Sequence, residues 1–252
     1  MKIAITREIS DAFERCELTH LARQPIDLAN ARRQHDAYEK ALVGAGCRVD
    51  RIPATDDMPD SVFVEDAAIV VDELAIVTRP GAESRRRETA AVAAALAPYR
   101  PLVTIEAPGA IDGGDVLRVG TRVFVGESAR TNSAAIAQLI HHLAPLGYTV
   151  HAVKVEGCLH LKSAVSAITE DTLLFNPAWV HGDAFRPLTL VEVDPAEAYA
   201  ANALLVGDDV IYPTAFPRTA ARIRQRGGRV VQVDVSELAK AEGAVTCCSV
   251  IF

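Results

Sequence analysis

Several absences narrow the class of this chain. No apolar run approaches the ~18 residues of a transmembrane helix, so no membrane-spanning segment of that kind is expected. No basic block stands beside aromatics. Arg85-Arg86-Arg87 is short, Glu88 follows it, and the net charge is −7, so nucleic acid is not expected as a partner. The five cysteines form no CxxC pair, which removes the usual structural zinc spacing. Their odd number points to free thiols, and the chain opens on Lys2-Ile3-Ala4-Ile5-Thr6, which reads as a strand and not a signal peptide. A cytoplasmic protein is therefore expected. The glycines form neither GxGxxG nor a P-loop, so no nucleotide site is indicated, and no metal or organic cofactor is expected.

What the chain has is length, apolar content and a repeat. At 252 residues and 50% hydrophobic, it can bury a sizeable core, and a single domain over residues 1–252 is expected. Asp66, Asp115, Ser163, Asn202 and Cys248 each precede a short apolar run, at steps of 49, 48, 39 and 46 residues. Each full unit reads as two strands joined by a polar turn: Asp72-Glu73, Gly120-Thr121, Glu170-Asp171 or Gly207-Asp208-Asp209. Helices are expected over 84–96, over 132–143 with Thr131 or Asn132 as N-cap, and over 218–226. Ile136, Leu139, Ile140 and Leu143 share one face of the second. Residues 179–185 allow at most a short helix. A third strand closes each unit, at 102–106, 148–155, 188–193 and 229–233. A fifth unit is split: a strand near Cys247 pairs with 2–6, followed by a helix over 28–43 and a strand over 47–52. Five ββαβ units closed into a ring leave no open sheet edge and enclose a central channel. An open α/β sheet would not explain the spacing.

The starts of the first strands carry the chemistry: Asp60, Glu65 and Asp66; Asp112 and Asp115; His160 and Lys162; Asn202; and Cys247. Singly each has an ordinary explanation, a turn for Asp-Gly-Gly-Asp or a hydrogen-bonded structural histidine. His35, His141 and His142 fall on predicted helices and are expected to face solvent. Together, converging carboxylates call for a cation, because buried charges are costly unpaired. A planar guanidinium suits bidentate carboxylates. A thiolate can attack its electron-poor carbon, and a histidine can protonate the leaving amine and then activate water. Cys247 and Cys248 are read on a C-terminal strand, which places them on opposite faces: Cys247 with Ser249, Cys248 with Val250 and Phe252. Two buried small hydrophobes is the plain alternative for the pair.

The segments PDSVFVED (59–66), TRPGAESRR (78–86), DGGDV (112–116), GESARTN (126–132), LHLKS (159–163), YAAN (199–202) and TCCSV (246–250) closely resemble the dimethylarginine dimethylaminohydrolase family of the guanidino-modifying pentein superfamily. They span nearly the whole chain. The resemblance implies a five-fold pseudosymmetric α/β propeller around a central active-site channel. It also implies hydrolysis of Nω,Nω-dimethyl-L-arginine, or the monomethyl form, to L-citrulline through a covalent S-alkylthiouronium. Carried over residue by residue, it makes Cys247 the nucleophile and His160 the general acid and base. Asp66 and Glu65 would hold the guanidinium, with Asp60 beside them, and Arg85 and Arg130 the substrate carboxylate. Leu18 would lie on a lid between about Arg15 and Pro25, and the backbone near Ala241 would receive the α-amino group. Asp112, where some members carry Glu, would orient His160. The partner implied is a methylated L-arginine, and a monomer or homodimer is expected.

Two alternatives stay open on the sequence. An arginine- or agmatine-deiminase-like hydrolase shares the Cys and His, although arginine deiminases usually carry a further helical domain. Paired Arg85 and Arg130 suit a substrate with a carboxylate, which speaks against agmatine. A non-catalytic propeller scaffold predicts no Cys/His pair at the axis.

Overall fold

The computed structural model describes residues 1–252. Five three-stranded sheets share one strand order. In each, a first strand runs antiparallel to a second, and the second parallel to a third. Four sheets are sequential: Ala68–Val70, Ala75–Val77 and Leu102–Thr104; Val116–Val119, Arg122–Glu127 and Thr149–Lys154; Val165–Ala167, Thr172–Phe175 and Thr189–Glu192; Leu204–Val206, Asp209–Pro213 and Arg229–Val233. The remaining sheet joins distant segments, with Val250–Ile251 antiparallel to Lys2–Arg7 and Lys2–Arg7 parallel to Cys47–Ile52. This is the split fifth unit expected from the repeat.

The connections follow from strand direction. Antiparallel neighbours need only a tight turn, and Gly120 and Gly207 sit at φ +59°, a region open to glycine and strained for other residues. Parallel neighbours need a crossover, supplied by helices Leu28–Gly44, Thr89–Leu96, Ser133–Leu143 and Pro217–Gln225. Asp27 caps the first by accepting from the Asn30 N–H at 2.9 Å, and Asn132 caps the third by accepting from the Ala135 N–H at 3.0 Å. Each cap contributes about 1 kcal/mol. The Thr172–Phe175 to Thr189–Glu192 crossover holds only a 3₁₀ turn, Gly182–Phe185.

The apolar residues form five separate clusters. Their place between sheets and crossovers follows from the ring, because the axis itself is a channel. A cavity of about 340 Å³ is lined by residues from the first strands of all five sheets, among them Ile69, Leu117, Ala167, Leu204 and Ile251.

Four expectations change. The terminal strand is only Val250–Ile251, and residues 245–248 form a turn. The segment expected to be helical from residue 84 begins as a 3₁₀ turn, Glu83–Glu88, with Arg85 and Glu88 buried. Ile140 is 45% exposed, whereas Ala135 takes its place on the buried face. His35 is buried beside Tyr38 and Glu39 and does not face solvent.

Candidate active site

The reactive side chains sit on short turns that precede the first strands, one step earlier than the strand starts expected from the sequence. Val64–Ala67 carries Glu65 and Asp66. Gly113–Asp115 follows Asp112, Leu161–Ala164 follows His160, and residues 245–248 carry Cys247. Each residue step along such a turn swings consecutive side chains apart by roughly 100–120°. Consecutive residues are thereby sent to different ends of the channel.

His160 is 5% exposed, and its Nε2 bonds Asp112 Oδ2 at 3.0 Å. Asp112 is fully buried and also accepts from the Gly81 N–H at 2.9 Å. The shorter aspartate therefore still reaches the imidazole. Nδ1 has no hydrogen-bond partner, with Asp66 Oδ1 at 4.0 Å. Burial opposes an imidazolium here, but Asp66, Asp112 and Asp115 outweigh it and push His160 up to about 9. Asp115 braces the group by accepting from the Leu161 N–H and from Ser128 and Thr131 hydroxyls. The two glycines of DGGD are required by close approach. A Cβ on Gly113 would lie 1.9 Å from the Glu65 carbonyl oxygen, and one on Gly114 would lie 2.6 Å from His160 Nδ1.

Asp66 accepts from Arg85 Nη1 at 2.6 Å and from the Gly114 N–H at 3.0 Å. Burial alone would push its carboxyl above the usual range, but His160 and Arg85 hold it down to about 2. Arg85 is itself buried. Its Nε and Nη2 donate to Glu88, and Nη2 also to the carbonyls of Asp60 and Phe63. At most one Nη1 N–H is left for a ligand. Arg85 lines the cleft and braces Asp66. Burial raises Glu88 to about 7 against the pull of Arg85.

Cys247 lines a cleft with Glu17, Asp60, Phe63, Asp66, Arg85, Arg130, Leu159, His160, Ala241, Glu242 and Gly243. Four carboxylates face two arginines and one imidazole there, so the cleft favours a cation. The Ala244 N–H approaches Cys247 Sγ at 3.4 Å. Burial, then Glu65 and Asp66, push its thiol up to about 12, so it stands protonated. Cys248 is fully buried in the largest apolar cluster, and burial raises its thiol further. The two thiols do face different surroundings, but the cause is a turn and not strand alternation.

Two expected residues lie elsewhere. Glu65 points into the 340 Å³ cavity at the other end of the axis, where it accepts from Lys162 Nζ at 2.5 Å and Thr246 Oγ1 at 2.8 Å. Leu18 packs on the largest apolar cluster and does not line the cleft, whereas its neighbour Glu17 does. Asp60 accepts from the Glu17 N–H at 3.1 Å, and burial pushes its carboxyl above the usual carboxylate range. Arg130 reaches Thr19 Oγ1 at 3.0 Å. Sequence reasoning missed Glu17, Phe63, Glu88 and the carboxylate of Glu242; the partners of Glu17 and Glu242 lie far away in the chain. Ligating atoms of Asp66, Asp112 and His160 come within 4.8 Å of one another. Their spacing is explained by pairing with each other and with Arg85, and no step below uses a metal.

The arginine deiminase family model matches residues 50–196. Over 236 residues the chain is 39% identical to N(G),N(G)-dimethylarginine dimethylaminohydrolase of Pseudomonas aeruginosa, covering 93% of this chain and 92% of the relative. It is 41% identical over 250 residues to the same-named protein of Streptomyces coelicolor, covering 99% and 96%. Among solved structures, a cysteine-to-serine mutant of the Pseudomonas aeruginosa protein complexed with citrulline superposes with a TM-score of 0.94 at 36% identity, covering 99% of this chain and 98% of that one.

Proposed function

The chain belongs to the arginine deiminase family, and from that premise we propose that it acts as a dimethylarginine dimethylaminohydrolase. It hydrolyses Nω,Nω-dimethyl-L-arginine and Nω-monomethyl-L-arginine to L-citrulline and dimethylamine or methylamine. The observation that carries the reading is one buried cleft holding a free thiol, an imidazole raised to about 9 and an excess of carboxylates.

In the proposed mechanism Asp66 and Asp60 receive the guanidinium. Its positive charge offsets the burial and the carboxylates that hold Cys247 protonated, and the thiol proton is lost to solvent. The thiolate adds to the guanidinium carbon. His160, already an imidazolium at neutral pH, donates its proton to the departing amine nitrogen, whose bond to that carbon breaks. The S-alkylthiouronium remains on Cys247. Neutral His160 then takes a proton from water as the oxygen adds to the same carbon, and the carbon–sulfur bond breaks to give citrulline. Asp112 fixes which imidazole nitrogen faces its partner. Arg130 takes the substrate carboxylate, Arg85 acts through Asp66, and the Ala241 carbonyl faces the α-ammonium.

Methylated substrates are preferred over arginine because each buried methyl gains about 0.8 kcal/mol, whereas a bare NH₂ in the same space lacks partners. The chain works as a single propeller domain in the cytoplasm, as a monomer or homodimer, without nucleic acid. No helix is long and apolar enough to cross a membrane. A citrulline assay across arginine, agmatine, monomethylarginine and asymmetric dimethylarginine tests the reading. Equal kcat/KM for arginine and dimethylarginine would replace it with a deiminase.

A further inference from the structure

We infer that Glu242 is a positioning residue whose carboxylate latches the 15–25 loop over the cleft. Its consequence for turnover rests on the hydrolase reading above. Three successive backbone amides converge on this one side chain. The Thr19 N–H lies 3.1 Å from Oε1 and 3.0 Å from Oε2, the His20 N–H 2.5 Å from Oε1, and the Leu21 N–H 2.6 Å from Oε1. Consecutive amides aimed at one point make an anion-binding concavity, and bonds to a charged acceptor are the stronger kind. The partners are 221 to 223 positions apart in sequence. Contacts this distant hold one segment against another and do not merely shape a turn.

The backbone beneath the latch is itself unusual. Glu242 is the one non-glycine residue with positive φ, at +59°. A glycine would occupy that conformation without strain, yet a glutamate stands there. Its neighbours Ala241 and Gly243 line the cleft. Gly243 is seated against Phe63, since a Cβ there would fall 2.2 Å from the ring. The latch thus rests on the wall of the reaction site.

The loop needs such a tie. Thr19 and His20 are exposed and bury little to order them. Asp60 anchors the Glu17 amide, and Lys240 donates to the Pro25 carbonyl at 3.1 Å, but no other acceptor serves the amides of residues 19–21. With the loop down, the cleft keeps about 20 Å³, room for about one water. An arginine-sized substrate enters only when the loop lifts, and holding the loop down again encloses it.

Glu242→Gly separates the latch from the strain, because glycine suits the backbone while removing the carboxylate. Hydrogen exchange followed by mass spectrometry should then show the amides of residues 19–21 exchanging about tenfold faster, the loss expected for a bond to a charged group. Exchange in the helix Ser133–Leu143 should be unchanged. KM for dimethylarginine should rise about tenfold while kcat moves less than about threefold, and Glu242→Gln, which keeps one acceptor oxygen, should fall between. Unchanged exchange at 19–21 overturns the latch. So does exchange that quickens equally in the helix, or faster loop exchange with an unchanged KM. Should wild type turn over no methylarginine, the functional reading fails, and the exchange measurement alone decides the latch.

Discussion

Glu65 and Asp66 are consecutive, both buried and both acidic, yet they belong to opposite ends of the channel. Glu65 opens on the wide cavity and is neutralised by one lysine. Asp66 faces the small cleft, where Arg85, Glu88, His160 and Asp112 form a continuous chain of charge. The wide end is the roomier of the two, but it has no thiol and no imidazole. Room alone therefore does not identify the reactive end. What distinguishes it is a thiol and an imidazole set among charges that shift one another's protonation, together with a loop that covers the cleft.

The comparison can be broken hardest at the thiols. Cys247→Ser should reduce citrulline formation by three orders of magnitude or more while still binding substrate, whereas Cys248→Ser should keep turnover. Mass spectrometry of a quenched reaction should find the adduct on Cys247. An adduct on Cys248 would reverse the assignment. Next in size is Gly114→Ala, whose methyl would press on His160 Nδ1 and Asp66 Oδ1. A shift of about 1 Å in such a group costs roughly a hundredfold, so kcat should fall on that order, with a drop of a few degrees in the melting temperature from the overpacking. Full activity in this variant would mean that His160 is not held where the structure has it.

A smaller effect sharpens the contrast between the neighbours themselves. Asp66→Asn should raise KM about tenfold or more, and Glu65→Gln less than about threefold, as only the first loses a charge-assisted contact to the substrate. Equal effects would place both carboxylates at one site. A last effect is linkage. His160 titrates near 9 in the folded chain against 6.5 unperturbed. Its stabilisation, on the order of 3 kcal/mol, is full below about pH 6.5 and lost as pH rises through 9. The melting-temperature gap between wild type and His160→Gln should therefore close between those values. A gap that persists undiminished above pH 10 would mean that the imidazolium charge is not what His160 contributes to stability.

Much of this was readable in advance because it is periodic. Five units, the polar turns at Gly120 and Gly207, a cap at Thr131 or Asn132 and the pairing of the chain's last strand with its first all follow from spacing and local chemistry. Ile140 escaped because a helical face is wider than one residue, and its outer edge is set by what packs on it. His35 escaped because a pattern on a helix does not reveal which neighbour covers its polar face. Cys247 was assigned to the right surroundings from the wrong element. Val245, Cys247 and Ser249 alternate in composition, but the backbone there follows the anchors on either side, with Thr246 bonded to Asn202 and the Cys247 carbonyl accepting from the Glu65 amide. Arg85 is a carboxylate ligand by the family resemblance alone, and its buried pairing with Glu88, three residues on, has no signature in the sequence.

The sheet that joins residues 2–7 and 47–52 to 250–251 also bears on the order of assembly. The other four sheets pair segments close in sequence, so each can form on a local timescale, whereas this one must close a loop of nearly the whole chain. The turn bearing Cys247 is held by contacts of that same long-range kind. A folding intermediate with four formed sheets would carry His160 and Asp112 in place and the thiol still free in solvent. We predict that during refolding, protection of Cys247 from a thiol reagent lags behind recovery of the far-ultraviolet signal, and simultaneous recovery would refute that order.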